Sequence, residues 1–155
     1  MEDYVLVVDL EVDLKGDRKD PSPYNKYNEL VAIGYLKRNL DGSKIGGLTV
    51  QIKNKSSNNF DLDDFEEEIK GAKYIVAHNA KFDVAWLREV GIECDVKIID
   101  TMINEYVLSK GLRNKLSLDG LAEKYKVTRK ESSLGDTLNK GLNYSDMSLF
   151  DQETY

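Results

Sequence analysis

The order of apolar segments predicts an α/β domain with a mixed sheet. Three apolar segments come in succession, and later ones alternate with amphipathic stretches. A hairpin signal between the second and third segments makes the first three strands an antiparallel meander. The short, wholly apolar runs further on read as parallel strands covered by helices.

Each element follows from its residues. Tyr4 to Val8 is an apolar strand. Asp13 to Asn28 is polar and holds both prolines, Pro21 and Pro23, so it reads as a loop. Leu30 to Leu36 gives a second strand. Asp41-Gly42, within Asn39 to Ser43, reads as the hairpin turn. Ile45 to Ile52 gives a third strand, weakened by Gly46-Gly47 at a bulge or edge. Lys53 to Asn59 is a polar loop. In Asp61 to Lys70, Leu62, Phe65 and Ile69 fall on one helical face and acids fill the first turn. Asp61 can cap that helix and Gly71 ends it. Tyr74 to Ala77 is a short strand. Ala80 to Val90 carries Phe82, Trp86 and Val90 at i, i+4 and i+8, and Gly91 stops it. Val96 to Ile99 is another strand. Thr101 to Ser109 and Ser117 to Tyr125 are helices. Lys126 to Asp146 is polar and poorly patterned. Ser148 to Tyr155 begins a helix, with Ser148 and Asp151 spaced for a capping box. No internal repeat or second boundary interrupts residues 1–155, which read as a single domain.

Composition narrows the function. Apolar residues make up 41% and charged residues 32%, ordinary for a globular protein. No apolar run approaches the roughly 20 residues of a membrane span. Glu2 and Asp3 stand where a signal peptide would carry basic residues. The single cysteine, Cys94, reads as a small semi-buried side chain and fits a reducing cytosol, so a cytoplasmic location is expected. The net charge of −6 argues against gripping nucleic acid through bulk positive charge. It leaves open a nucleic-acid enzyme whose carboxylates hold metals. A single histidine, His78, excludes a multi-histidine zinc site.

Asp9 and Glu11 follow the first apolar run. On a strand, side chains at i and i+2 share a face, so two carboxylates stand side by side. They repel unless one protonates or a cation sits between them. Read alone, they are also compatible with surface acids on an edge strand. A second constellation is Val76-Ala77-His78-Asn79-Ala80-Lys81-Phe82-Asp83. Asp83 falls in the first turn of its helix, where negative charge is favoured. Three carboxylates converging where strands end can hold two divalent cations roughly 3.5–4 Å apart, an arrangement suited to in-line attack on a phosphodiester. Asn79 is a helix cap or a substrate contact. Phe82 and Trp86 have core spacing, with substrate contact as the alternative. His78 reads as a neutral residue at a strand end, and Asp100 as a cap for the helix at Thr101 or a metal ligand.

These spacings resemble the DnaQ-like (DEDD) 3′–5′ exonucleases of the ribonuclease H-like fold. Asp9-Leu10-Glu11 matches their first motif, and Asn79-Ala80-Lys81-Phe82-Asp83 their second. Ile98-Ile99-Asp100-Thr101-Met102 and Leu116-Ser117-Leu118-Asp119-Gly120-Leu121-Ala122 are similar to the two helix starts that follow. Within the superfamily the chain looks most like the proofreading domain of bacteriophage family A DNA polymerases, as in Asp20-Pro21-Ser22-Pro23-Tyr24-Asn25. The resemblance implies 3′–5′ hydrolysis of the terminal phosphodiester of DNA, with two Mg²⁺ or Mn²⁺ ions held by Asp9, Glu11 and Asp83. It implies a single-stranded 3′ end as partner, and a polymerase domain in the same or a companion chain. For a phage protein the location would be the host cytoplasm. Leu10 and Val12 would approach the terminal nucleotide, although Val12 stands where many relatives carry threonine. Asn79 and Phe82 are the other substrate-contact candidates.

One motif departs from the pattern. The family's third motif, Tyr-x-x-x-Asp or His-x-x-x-x-Asp, is incomplete. Tyr155 stands at the expected tyrosine, as the residue that would orient the attacking water, and its aspartate would fall four residues beyond the end. The expectation is a domain cut before its fourth carboxylate and impaired in catalysis. Asp146 and Asp151 are substitutes in principle. Three readings stay open: a catalytically incomplete polymerase fragment, a stand-alone exonuclease completed from elsewhere, and a binding or assembly module that keeps the fold.

Overall fold

The computed structural model describes residues 3–14, 20–52, 62–112 and 115–128. The described elements are β1 (Tyr4–Leu14), β2 (Asn28–Asn39), β3 (Lys44–Ile52), α1 (Asp63–Gly71), β4 (Tyr74–Ala77), α2 (Ala80–Glu89), β5 (Lys97–Asp100), α3 (Thr101–Leu108) and α4 (Leu118–Tyr125). They form a five-stranded sheet in the order β3-β2-β1-β4-β5. β1, β2 and β3 pair antiparallel, while β4 and β5 join β1 in parallel. This is the mixed α/β sheet expected from the sequence. Among the described residues, no helix is long and apolar enough to cross a membrane.

One face of β1 makes the core. Leu6, Val8 and Leu10 pack with Ile33, Tyr35 and Ile75 of the sheet, and with Phe65 and Ile69 of α1 and Trp86 and Leu87 of α2. Burying each such side chain contributes roughly 1.5–3 kcal/mol. The Tyr35 and Phe65 rings meet at 5.0 Å in a tilted arrangement. By alternation, Asp9 and Glu11 occupy the other face.

The first two strands outrun the sequence reading. β1 continues to Leu14 and β2 begins at Asn28, so the polar connection is shorter than Asp13 to Asn28. Pairing of Asp13 with Glu29 and of Leu14 with Asn28 extends the ladder through residues of low strand preference. The register shifts after Glu11, where Val31 of β2 is the extra residue of a bulge.

Side chains tie down residues 20–28, which lead into β2. Asn28 Nδ2 donates to the Asp20 carbonyl at 2.6 Å and the Ser22 carbonyl at 3.1 Å. The Trp86 indole N–H donates to the Pro21 carbonyl at 3.1 Å. Two capping expectations need restating. The residue before α1 is Leu62, with no side-chain cap bond, and Asp61 lies outside the described residues. The expected helix at Ser148 to Tyr155 also lies outside them.

Candidate active site

β4 pairs with β1 only from Val5 to Val7, so β1 continues past the end of its parallel neighbour. The chain turns at His78 and Asn79 and enters α2, whose first turn carries Asp83 beside the open flank of β1. Asp83 is buried, 5% exposed, and its carboxylate takes a hydrogen bond from the Leu10 backbone N–H. The second motif therefore touches the first. On its other flank Asp9 faces Gly34, which has no side chain to fill the space.

The electrostatics set Asp83 apart. Burial raises its pKa to about 7, and the negative charges of Asp9 and Asp100 push the same way. Hydrogen bonds from its own backbone N–H and from that of Leu10 oppose the shift without cancelling it. Among the described residues, the side-chain charges that act on it are both negative.

Asp100 is an organiser. Its Oδ1 accepts from the Met102 N–H at 2.9 Å and the Ile103 N–H at 3.3 Å, which caps α3. The same carboxylate accepts from the Asn79 N–H at 3.1 Å and the Ala80 N–H at 2.9 Å. One side chain thus joins the starts of two helices. His78 Nδ1 lies 2.9 Å from Thr101 Oγ1, which in turn donates to the Ala77 carbonyl at 3.3 Å. His78 is thereby fixed at the strand end, as its sequence position suggests.

The remaining site candidates fall as follows. Asp9 is exposed and Glu11 half-buried on the same strand. Leu10 puts its side chain into the core, and Val12 packs against it. Phe82 is half-buried against the core, and Trp86 lies within it at 3% exposure. Asn79 is exposed and makes no side-chain cap bond, contrary to the capping reading. Its φ of 62° puts the backbone in the left-handed region, which asparagine tolerates. Tyr155, Asp146 and Asp151 lie outside the described residues. Sequence reasoning passed over Asp13, which is fully buried two residues beyond Glu11. The signal was present as a third acid in the i, i+2, i+4 series.

A divalent cation suits this corner. The donors are all oxygen, the chemistry that Mg²⁺ and Mn²⁺ prefer. The raised pKa of Asp83 comes first from burial and then from the neighbouring negative charges, both of which disfavour its ionised form. Among the described residues, no three His, Cys, Asp or Glu side chains already stand together as a complete ligand set.

The architecture has relatives of known structure. An exonuclease I in complex with SSB-Ct superposes with a TM-score of 0.62 at 11% identity, over 88% of this chain and 39% of that one. E. coli exonuclease I in complex with a 5cy-dA13 oligonucleotide gives 0.56 at 11% identity, over 83% and 37%. A zinc-ion-bound form of the E. coli exonuclease I–single-stranded DNA complex gives 0.56 at 11%, over 82% and 36%. At such identity the likeness establishes the fold, a ribonuclease H-like exonuclease fold. The chain spans well under half the length of these proteins. No curated protein sequence matches it. Residues 51–147 match the 3′–5′ exonuclease family, and the chain belongs to that family, within the DEDD superfamily.

Proposed function

We propose that this chain is a 3′–5′ exonuclease module that removes nucleoside monophosphates from a single-stranded 3′ end of DNA. Its context is proofreading, as in phage-type family A polymerases, with a polymerase domain in the same or a companion chain supplying basic surface. The observation that carries the reading is the meeting of the two motifs: the buried Asp83 carboxylate on the Leu10 N–H, beside Asp9.

Asp9, Glu11 and Asp83 are the residues that would hold two divalent ions, Mg²⁺ or Mn²⁺. When bound, such ions activate water and stabilise the leaving oxygen. The chain's own residues do the positioning. Asp100 fixes the start of α2 and so the direction of Asp83. The Leu10 N–H fixes the Asp83 carboxylate against β1. Asn79, exposed at the strand–helix junction, and the edge of Phe82 are the candidate contacts for the terminal nucleotide. Tyr155 is assigned to orient the attacking water by its motif position.

Incubating the chain with a 3′-labelled single strand and Mg²⁺ or Mn²⁺ tests this. The label should be released as mononucleotide, and Asp83→Asn and Asp9→Ala should each abolish the release. Undiminished hydrolysis by both variants would overturn the assignment. Binding of the strand without hydrolysis by the unmodified chain would favour the catalytically incomplete reading.

A further inference from the structure

Between β1 and β2 the chain presents two tyrosines to solvent, Tyr24 at 85% exposure and Tyr27 at 56%. Large aromatic side chains are costly to leave exposed, and here they sit on a segment, residues 20–28, that is tied down by side chains. Asn28 binds the Asp20 and Ser22 carbonyls, and Trp86 binds the Pro21 carbonyl. The Ser22 hydroxyl accepts from the Tyr24 N–H at 3.2 Å, and Asn25 Oδ1 from the Tyr27 N–H at 3.2 Å. Lys26 Nζ lies 5.0 Å from the centre of the Tyr27 ring.

Charge distinguishes this segment from the rest of the molecule. The whole chain carries −6, whereas residues 20–28 hold one acid, Asp20, and one base, Lys26. A tied segment that combines exposed aromatic faces with the Lys26 ammonium fits the requirements for holding unpaired bases and their phosphates.

Its position agrees. Asn28 pairs with Leu14 at the end of β1 beyond Asp9 and Glu11. Asp9 and Leu14 are five strand steps apart, about 16 Å at about 3.3 Å per residue. A stacked single strand rises about 3.4 Å per nucleotide, so the Leu14–Asn28 end of the ladder corresponds to about five nucleotides from Asp9. The Trp86 tether belongs to the helix that carries Asp83. The Pro21 segment and Asp83 are thus tied to the same helix.

We infer that Tyr24, with Tyr27 and Lys26 beside it, forms a stacking platform that grips single-stranded nucleic acid several nucleotides upstream of the terminal phosphodiester. The inference rests on the exonuclease reading above. It makes Tyr24 a positioning residue, remote from the chemistry. Substrate length becomes a determinant of affinity: strands too short to reach the loop do not use it.

Fluorescence anisotropy with labelled thymidine trinucleotide and dodecamer tests this, on the full chain in EDTA at low salt. The unmodified chain should bind the dodecamer more tightly than the trinucleotide. Tyr24→Ala should weaken dodecamer binding by about tenfold and leave trinucleotide binding unchanged, while Tyr24→Trp should restore the dodecamer affinity. In hydrolysis assays with the longer strand, Tyr24→Ala should raise KM and leave kcat unchanged. Its unfolding temperature should match that of the unmodified chain. Equal dodecamer binding by the unmodified chain and Tyr24→Ala would overturn the platform and leave the exonuclease reading intact. If the unmodified chain neither binds nor degrades single strands of either length, both fall together.

Discussion

Asp83 and Glu105 are both buried carboxylates, each on a helix that starts where a parallel strand ends, and their surroundings are opposite. Glu105 is 2% exposed. It accepts from the Lys124 ammonium and, at 2.7 Å, from the Tyr125 hydroxyl, which ties α3 to α4. These two donors hold it below the usual carboxylate range. Asp83 faces Asp9 and Asp100, and its proton affinity rises instead. A buried acid with its partner in place is a structural latch. A buried acid beside like charges is a candidate functional group. The difference separates a carboxylate satisfied by its own fold from one that burial and like charges hold towards its protonated form.

Substitution at the two positions should break this comparison most sharply. Asp83→Asn should lower exonuclease turnover by about a hundredfold or more, since even residues that only support a metal ligand cost 10–100-fold. Glu105→Gln should leave turnover within about twofold and lower the unfolding temperature. Kinetics and thermal melts on both variants distinguish the roles.

pH comes next, with opposite signs for the two acids. The folded chain holds Asp83's proton up to about 7, while the unfolded chain releases it near 3.8. Its contribution is therefore full below about pH 4 and is lost as pH rises through about 7, as much as about 4 kcal/mol without metal. Glu105 behaves in reverse. Its stabilisation is present above its ordinary 4.5 and disappears as pH falls through the depressed folded value. Urea melts from pH 4 to 8 in EDTA should show the first slope, and Asp83→Asn should flatten it.

A cation should then supply what Asp83 lacks. Calcium at a hundred times its dissociation constant should stabilise the chain by about 2.7 kcal/mol. The gain should be large at pH 8 and small at pH 5.5, where Asp83 keeps its proton. An equal thermal shift at both values would count against cation binding at this acid.

Asp100→Ala should cost about 2 kcal/mol, the upper end for one cap, because two helix starts lose their acceptor. It should also lower the pKa of Asp83 by removing one neighbouring charge. The smallest effect belongs to the exposed Lys70–Glu66 pair at 3.1 Å on α1. Lys70→Ala should change stability by less than about 0.5 kcal/mol, a baseline for the buried acids.

Much of this was legible in the sequence, for physical reasons. The apolar run of β1 and the helical spacing in α2 are local signals, and they led to the mixed sheet and to Trp86 as core. Asp9 and Asp83 could be brought together because a strand end and a helix start are both readable. What escaped depended on distant partners. Asp13 to Leu14 and Asn28 to Glu29 are poor strand residues, and their pairing supplies the order that their side chains do not. Asn79 looked like a cap, yet its left-handed backbone leaves that task to Asp100, 21 residues away. Glu105 carried no motif, and its partners Lys124 and Tyr125 lie on another helix. Nothing in the pattern around Pro21 announced that an indole would hold it.

That indole has a practical use. Trp86 is the only tryptophan in the chain, it is shielded from water, and it sits one helical turn from Asp83. The molecule therefore contains its own optical probe: detachment of the Pro21 loop or disturbance of α2 should register in the emission of a single fluorophore, with no dye attached.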